Sequence, residues 1–350
     1  MTLETAFERR SLPLEFPFGI ARGTTTATEV VLVRITDGDD TSGLGAASPS
    51  SHYGETAATV SSVMPELLAV VEDVGDPHQL ERLERRLRET VRRNPSARAA
   101  VSIALHDLVA KRLDVPLYRY WGLDPAETLE TSYTIGLDDD ETMREKTETA
   151  IERGYGTLKV KLGTDRDLEI VRTIRSVAPD VRLFVDANEA WSPREALRKI
   201  DRLAAFDVAV VEQPVPADDP QGLKYVFDRS TLPIAADESC VTLADVPRIA
   251  DRCDIANLKL MKCGGLLEAK RLIHAARAHG LDVLCGCMTE SNASIAAACH
   301  LAPLLDYADL DGSLLLADDP VDGVSMPNGR IDLAALDRPG TGAVLEAEFD

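Results

Sequence analysis

Arg182-Leu-Phe-Val-Asp186 is an apolar run that ends in a carboxylate, and the pattern returns along the chain at a nearly constant interval. Leu183, Phe184 and Val185 are consecutive apolar residues, which suits a strand covered on both faces in a parallel sheet between helices. Val208-Ala-Val-Val-Glu212 and Pro233-Ile-Ala-Ala-Asp237 repeat it, at intervals of 212 − 186 = 26 and 237 − 212 = 25 residues. That is about the length of one strand, one crossover helix and two short loops. Three carboxylates therefore fall at the same end of neighbouring parallel strands. One unit upstream (186 − 161 = 25), Thr157-Leu-Lys159-Val-Lys161 ends in two ammonium groups on one face, because side chains alternate along a strand. One unit downstream (259 − 237 = 22), Ile255-Ala-Asn-Leu-Lys259 ends in another.

Strand ends fall near Thr134, Lys161, Asp186, Glu212, Asp237, Lys259, Cys287 and Asp309, with helical patterns between them. Eight such units predict a (β/α)8 barrel rather than an open sheet, and barrels carry their sites at the C-terminal ends of the strands, where these charges lie. Ser192-Pro193-Arg194-Glu195 signals a helix start, with a capping serine, proline at the first helical position and glutamate three residues on. Ahead of the barrel, β patterns over Thr5 to Phe16 and Thr28 to Ile35 and helical patterns over Glu55 to Val71, His78 to Arg93 and Ala97 to Leu113 predict a small α+β domain. The expected organisation is an α/β chain: an α+β capping domain over 1–122, a modified barrel over 123–320, and a tail, 321–350, that returns to the cap. Two segments of the cap, Phe16 to Thr26 and Ala46 to Glu55, are rich in Gly, Ser, Thr and Pro and read as exposed connections or as lids over a site.

The net charge of −21 argues against nucleic acid and anionic membranes as partners, since both need a basic face. No apolar run is long enough to span a bilayer, and Met1-Thr-Leu-Glu-Thr lacks the pattern of a signal peptide, so the expectation is a cytoplasmic protein. The six cysteines complete no zinc-ligand set and read as small buried hydrophobes. Of the 38 basic residues 9 are lysines and 29 arginines, and arginine with excess acid suits a surface adapted to a halophilic cytoplasm. Four of those nine lysines, Lys159, Lys161, Lys259 and Lys262, cluster at the ends of two expected core strands.

Three carboxylates at one barrel mouth repel one another unless a cation shares them, and all-oxygen ligation suits Mg2+ rather than zinc. Singly, each acid could instead pair with an arginine; three in register, flanked by lysines, favour the metal. A lysine acts as a base only when its pKa falls from about 10.4 towards neutrality, which burial beside other positive charge achieves. Lys161 and Lys259 are the candidate bases, facing one another across the barrel. Lys262 has the blander reading of a snorkelling side chain or an ion pair with Glu212. Such a pair around a metal suits removal of a proton next to a carboxylate.

Lys159-Val-Lys161, Asp186-Ala-Asn188, Glu212-Gln-Pro214, Asp237-Glu-Ser239 and Lys259-Leu-Met-Lys-Cys-Gly-Gly265 together resemble the enolase superfamily, and within it the muconate-lactonising subgroup, over nearly the whole chain. The resemblance implies that Asp186, Glu212 and Asp237 hold Mg2+, that Lys161 and Lys259 are an opposed acid/base pair, and that Lys159 lowers the pKa of Lys161 and touches the substrate carboxylate. It also implies that the cap loops close over the site, with Ala46 standing where many relatives carry an acid. Asp309-Leu-Asp311-Gly312 and Cys287-Met-Thr-Glu290-Ser291 look like the corresponding segments of dipeptide epimerases, in which the two aspartates hold the substrate's free ammonium. The substrate-binding set implied is then Lys159, Thr134, Asp309, Asp311 and Glu290.

The leading expectation is a Mg2+-dependent dipeptide epimerase with a small-molecule dipeptide as its partner. An N-acylamino acid racemase or o-succinylbenzoate synthase would use the same lysines with no ammonium to bind, and a non-catalytic metal-stabilised binding protein would not need both lysines and all three acids. Acid-sugar dehydration in relatives needs a histidine at the seventh strand end, where this chain has Cys287 to Glu290. The oligomeric state stays open between a monomer and a homo-oligomer, the commoner state of barrel relatives.

Overall fold

The computed structural model describes residues 2–346 and 349. The chain opens with three antiparallel strands, β1 (Glu4–Ile20), β2 (Gly23–Thr36) and β3 (Ser42–Ala47), in that spatial order. Helices α1 (Ala57–Val74), α2 (Leu80–Thr90) and α3 (Pro95–Arg112) follow, then a single turn, α4 (Leu117–Tyr120). Helix α3 lies directly on β3: a Cβ on Gly43 would stand 2.0 Å from the Ala104 carbonyl oxygen, and one on Gly45 2.2 Å from that of Ala100. Small residues on both elements are what allow this approach.

The segment from Phe16 to Thr26, expected to be a loop, is instead the far end of the β1–β2 hairpin, paired as far as Ile20 with Gly23. The hairpin carries Pro13 inside the expected strand pattern and Pro17 beyond it. In the structure the register shifts between Pro13 and Phe18 and pairing resumes, which an edge strand tolerates because one row of its N–H groups has no partner to lose.

Eight parallel strands then form one sheet: β4 (Tyr133–Ile135), β5 (Thr157–Lys161), β6 (Arg182–Asp186), β7 (Val208–Glu212), β8 (Ile234–Ala236), β9 (Ile255–Leu258), β10 (Asp282–Gly286) and β11 (Tyr307–Asp309). A parallel bridge from Thr131 to Ala308 and the Ser132 N–H on the Ala308 carbonyl at 3.0 Å close it between first and last strands. The intervening helices are α5 (Asp140–Glu152), α6 (Asp167–Val177), α7 (Pro193–Leu203), α8 (Pro220–Phe227), α9 (Val246–Ile249), α10 (Leu260–Cys263), α11 (Leu266–Ala278) and α12 (Asn292–Cys299). The eighth strand is followed by the tail and not by a helix, which is one modification of the barrel. Helix α7 begins where expected, after Ser192, but the serine side chain makes no capping hydrogen bond. No helix among the described residues is long and apolar enough to cross a membrane.

The pleat sorts the barrel strands into two sets. Phe184, Val210, Ala235, Ile255 and Leu284 pack together as an apolar floor inside the barrel. Leu183, Val185, Val211, Ala236, Ala256 and Leu258 alternate with them and join the core under the helices. Two residues beyond the floor, the same inward face carries Asp186, Glu212, Asp237 and Asn257, so the charged layer is set directly on an apolar one.

The tail touches both parts of the chain. Strand β12 (Val321–Asp322) pairs with β13 (Val344–Leu345). The Thr131 N–H donates to the Gly329 carbonyl at 2.8 Å, at the foot of the barrel, and the Thr341 N–H to Asp107 of α3 at 2.7 Å.

Candidate active site

The lysines and acids expected at the strand ends meet in one buried layer. Lys161 Nζ donates to Asp186 Oδ2 at 2.7 Å, Lys259 Nζ to Asp237 Oδ2 at 2.8 Å, and Lys159 Nζ to Glu212 at 2.9 Å and Asp309 Oδ2 at 2.8 Å. Asp186, Glu212 and Asp237 can each offer an oxygen such that all three lie within 4.8 Å of one another, and each residue is at most 1% exposed. Strands β5 and β9 stand four apart in the eight-strand order, so Lys161 and Lys259 approach the acids from opposite walls. Lys262 pairs with Asp237 and not with Glu212, and it also donates to the carbonyls of Asp237 at 2.7 Å and Asn257 at 2.9 Å.

The electrostatics follow from this packing. Burial and the Asp186 charge push the Glu212 carboxyl upward, whereas at Asp237 the Lys259 and Lys262 ammoniums overcome the cost of burial and hold it down. At Lys259, burial would lower the pKa, but the Asp237 carboxylate outweighs it and raises it. The same holds at Lys159, where Asp309 and Glu212 are the opposing charges. Positive charge from Lys159 and a divalent ion is the expected means of lowering the pKa of Lys161, whereas at Lys259 direct pairing to a carboxylate acts the other way, because an opposite charge at contact distance exceeds the desolvation cost.

Asp309 and Asp311 both stand at the eighth strand, with different partners. Asp309 takes Lys159 and, at 2.5 Å, the Ser132 hydroxyl; Asp311 accepts the Thr134 N–H at 2.6 Å. Burial, then the Asp309 charge, pushes the Asp311 carboxyl upward. Glu290 does not join them. Its oxygens accept the Met288 N–H at 2.8 Å and the Ser294 hydroxyl at 2.6 Å, and burial pushes its carboxyl up to about 7. Its neighbours Cys287, Met288 and Thr289 line the site instead.

Above the charged layer lies a cavity of about 750 Å3, bounded by Thr134, Lys159, Lys161, Asp237, Lys259, Asp309 and Asp311 below and by the cap above. Both cap segments singled out in the sequence line it: the hairpin tip through Phe18, Ile20, Arg22 and Thr24, and the second segment from Ser48 to Glu55. Ala46 is a buried residue of β3, opposite Leu32, and the loop itself starts at Ser48. Arg22 fastens the hairpin tip to the barrel mouth, donating to the Asn188 carbonyl at 3.1 Å, to Glu189 at 3.2 Å and to Glu238 at 2.9 Å.

Sequence reasoning missed Arg22 and Gln213. A lone cation in a Gly- and Thr-rich hairpin was a signal for Arg22. Gln213, in the Glu-Gln-Pro motif, accepts the N–H groups of Asp237 at 3.0 Å and Ser239 at 3.1 Å and donates to Ser239 Oγ at 2.9 Å, so it fixes the turn that presents Asp237. Asn257 donates to Glu212 at 2.9 Å and accepts the Gly286 N–H at 3.0 Å, tying three strands together within the layer of the acids.

Two family models match the chain: "Mandelate racemase / muconate lactonizing enzyme, N-terminal domain" over residues 3–122, and "Enolase C-terminal domain-like" over 142–349. The chain belongs to the mandelate racemase and muconate-lactonizing group of the enolase superfamily. An L-Ala-D/L-Glu epimerase from Bacteroides thetaiotaomicron is 40% identical over 344 residues, covering 98% of this chain and 88% of that protein. The crystal structure of a dipeptide epimerase from Cytophaga hutchinsonii, complexed with Mg and the dipeptide D-Ala-L-Val, superposes with a TM-score of 0.93 at 28% identity, covering 99% of this chain and 96% of that one. An N-succinyl Arg/Lys racemase from Bacillus cereus ATCC 14579 superposes almost as well, with a TM-score of 0.92 at 26% identity over 98% and 95% of the two chains. Within the enolase superfamily this chain is an isomerase of the racemase and epimerase type. Backbone similarity does not separate an enzyme that takes free dipeptides from one that takes N-acylated amino acids, so that choice rests on the site.

Proposed function

We propose that the protein is a Mg2+-dependent dipeptide epimerase that inverts Cα of the C-terminal residue by proton transfer between Lys161 and Lys259. The observation that carries this reading is the placement of the two lysines on opposite barrel walls around three buried carboxylates, with Asp309 and Asp311 at the remaining edge. The curated epimerase relative and the Mg-complexed neighbour support it.

The donor set fits Mg2+. Asp186, Glu212 and Asp237 offer only hard carboxylate oxygens, close enough together to share one ion. Held by those three residues, the ion would supply positive charge to the substrate carboxylate, where the electron pair of the broken C–H bond accumulates. In each direction one lysine, as the neutral amine, takes the Cα proton. The C–H electron pair passes into the adjacent carboxylate to give an enediolate, and the other lysine, as the ammonium, returns a proton to the opposite face. Lys159, charged and fixed between Glu212 and Asp309, positions the substrate carboxylate. Asp311 and Asp309 take the ammonium of the first residue, beside Thr134. The cap over 1–122, joined by the 321–350 tail, closes on the barrel of 123–320 through Arg22.

The test is a screen of dipeptides in D2O with the Mg2+-loaded enzyme, scoring deuterium at Cα by mass spectrometry. Uptake at the C-terminal residue of free dipeptides supports the reading. Uptake confined to N-acylated amino acids replaces it with the racemase one.

A further inference from the structure

We propose that Ser102 and Glu84 of the cap are positioning residues for Lys259, acting through a trans cap on the barrel helix that follows it; the inference rests on Lys259 being one of two opposed bases.

Lys259 closes β9 and is followed at once by the single turn α10, then by Gly264 and Gly265 with φ of 92° and 136°, then by α11. The first N–H groups of a helix have no partner within it, and a Ser, Thr, Asp or Asn at the preceding position ordinarily supplies one. Gly265 holds that position in α11 and has no side chain to offer. The acceptor comes from the other end of the sequence: the Leu266 N–H donates to Ser102 Oγ of α3 at 3.1 Å. Ser102 in turn donates its own hydrogen to Glu84 Oε1 of α2, which leaves its lone pairs facing Leu266. Burial pushes the Glu84 carboxyl up to about 7, and the Ser102 hydroxyl and the Leu267 N–H act against that push. All of this is buried, Ser102 completely.

The fit is mutual. A Cβ on Gly265 would lie 2.4 Å from Ser102 Oγ, so this corner takes the cap serine or a capping side chain of its own, not both. Helix α10 also packs on α3, and the Ser48 N–H at the start of the second cap loop lies 3.3 Å from Met261 Sδ. Lys161 is held differently. The turn after it is closed within the barrel, where Asp167 Oδ1 accepts the N–H groups of Gly163 at 2.9 Å and Thr164 at 2.7 Å. The hydrogen bonds that close the turn after Lys161 thus come from the barrel, whereas the one that caps the helix beyond Lys259 comes from the cap. Removing the trans cap should displace Lys259 and leave Lys161 in place.

The experiment uses the full-length, Mg2+-loaded enzyme in D2O with each pure epimer of a dipeptide that the wild type turns over, following exchange of the α-proton at early times. Lys259→Ala and Lys161→Ala identify which epimer each lysine serves. Ser102→Ala is expected to slow exchange of the Lys259-served epimer by about tenfold or more, since misplacement of a reacting group by about 1 Å costs on the order of a hundredfold, while the other epimer stays within about twofold. Glu84→Gln, which keeps an acceptor, should lie closer to wild type than Glu84→Ala and is read the same way if Ser102→Ala does not fold. In parallel, amide hydrogen exchange over residues 259–268 should quicken in Ser102→Ala, with 161–168 unchanged. Equal losses for both epimers, or none, overturn the positioning role alone. A wild type that exchanges no dipeptide α-proton overturns the epimerase reading and this inference with it.

Discussion

Lys159 Nζ lies 2.8 Å from Asp309 Oδ2, a contact that joins the second barrel strand to the eighth and makes the two carboxylates of Asp309-Leu-Asp311 unequal. Asp309 already has a lysine and its pKa is drawn down against the cost of burial, whereas Asp311 has no lysine paired to it among the described residues, takes its hydrogen bonds from Thr134, and is pushed up by burial and the Asp309 charge. An arriving ammonium gains most at the carboxylate that lacks a cation.

Asp311→Asn is therefore expected to reduce kcat/KM for free dipeptides by one to two powers of ten, since a charge-assisted hydrogen bond is worth about 1.5 to 3 kcal/mol and about 1.4 kcal/mol is a factor of ten. N-acetylated dipeptides, expected to be poor substrates for wild type, should change little, so discrimination between free and acetylated forms shrinks. Asp309→Asn should depress both forms, because it also loosens Lys159. Steady-state kinetics on matched free and acetylated pairs separate the two outcomes, and wild-type turnover of both forms at equal rates would remove the ammonium from the account.

The barrel and its charged layer were legible because period and chemistry coincide. A strand of consecutive apolar residues ending in Asp186, Glu212 or Asp237 leaves few alternatives, and the alternation that places Lys159 and Lys161 on one face is a property of any strand. Contacts that cross between distant segments were not legible. Nothing local to Asp309 announces Lys159, and nothing near Gly265 announces Ser102. The partners of Glu290 were hidden in the same way: its oxygens turn back to Met288 and Ser294. The hairpin tip was misread because Gly and Thr signal a loop locally, while pairing with β2 is a long-range fact.

Removal of divalent ions should abolish epimerisation, and Mg2+ should restore it. The motive is the buried trio of Asp186, Glu212 and Asp237, in which burial and then the Asp186 charge push the Glu212 carboxyl upward. Dialysis against chelator followed by titration with Mg2+ measures this, and thermal unfolding gives a second readout: bound ion at 100 times its Kd should add about 2.7 kcal/mol of stability. Full activity after exhaustive chelation would refute the metal role.

Lys161→Ala and Lys259→Ala should each lose epimerisation by several powers of ten, yet each should still exchange the α-proton of the one epimer served by the remaining lysine. Proton exchange measured by NMR in D2O for each pure epimer decides this. If both variants lose exchange with both epimers alike, the lysines do not work from opposite faces.

The last prediction concerns acid stability and a histidine outside the site. His300, fully buried at the end of α12, accepts the Tyr118 N–H on Nδ1 at 3.0 Å, so its hydrogen sits on Nε2 and is donated to the Thr341 carbonyl at 3.1 Å. The ring thus ties the barrel to α4 and to the tail, and a proton on Nδ1 would set two N–H groups against each other. Burial pushes the imidazole down to about 4. Because the unfolded value, about 6.5, is the higher one, the unfolded chain binds the proton more readily, so the stabilisation is complete above pH 6.5 and is lost as pH falls from there towards 4. The gap corresponds to about 3 kcal/mol when fully expressed. His300→Asn keeps an acceptor near Nδ1 but cannot take up a proton; it should lower stability at pH 7 by about 1 to 3 kcal/mol through the lost Thr341 contact and flatten the decline between pH 6.5 and 4.5. Denaturant unfolding of the two proteins across that range measures both effects, and parallel declines would assign the acid sensitivity to other groups, His106 first, which burial also holds down at about 4.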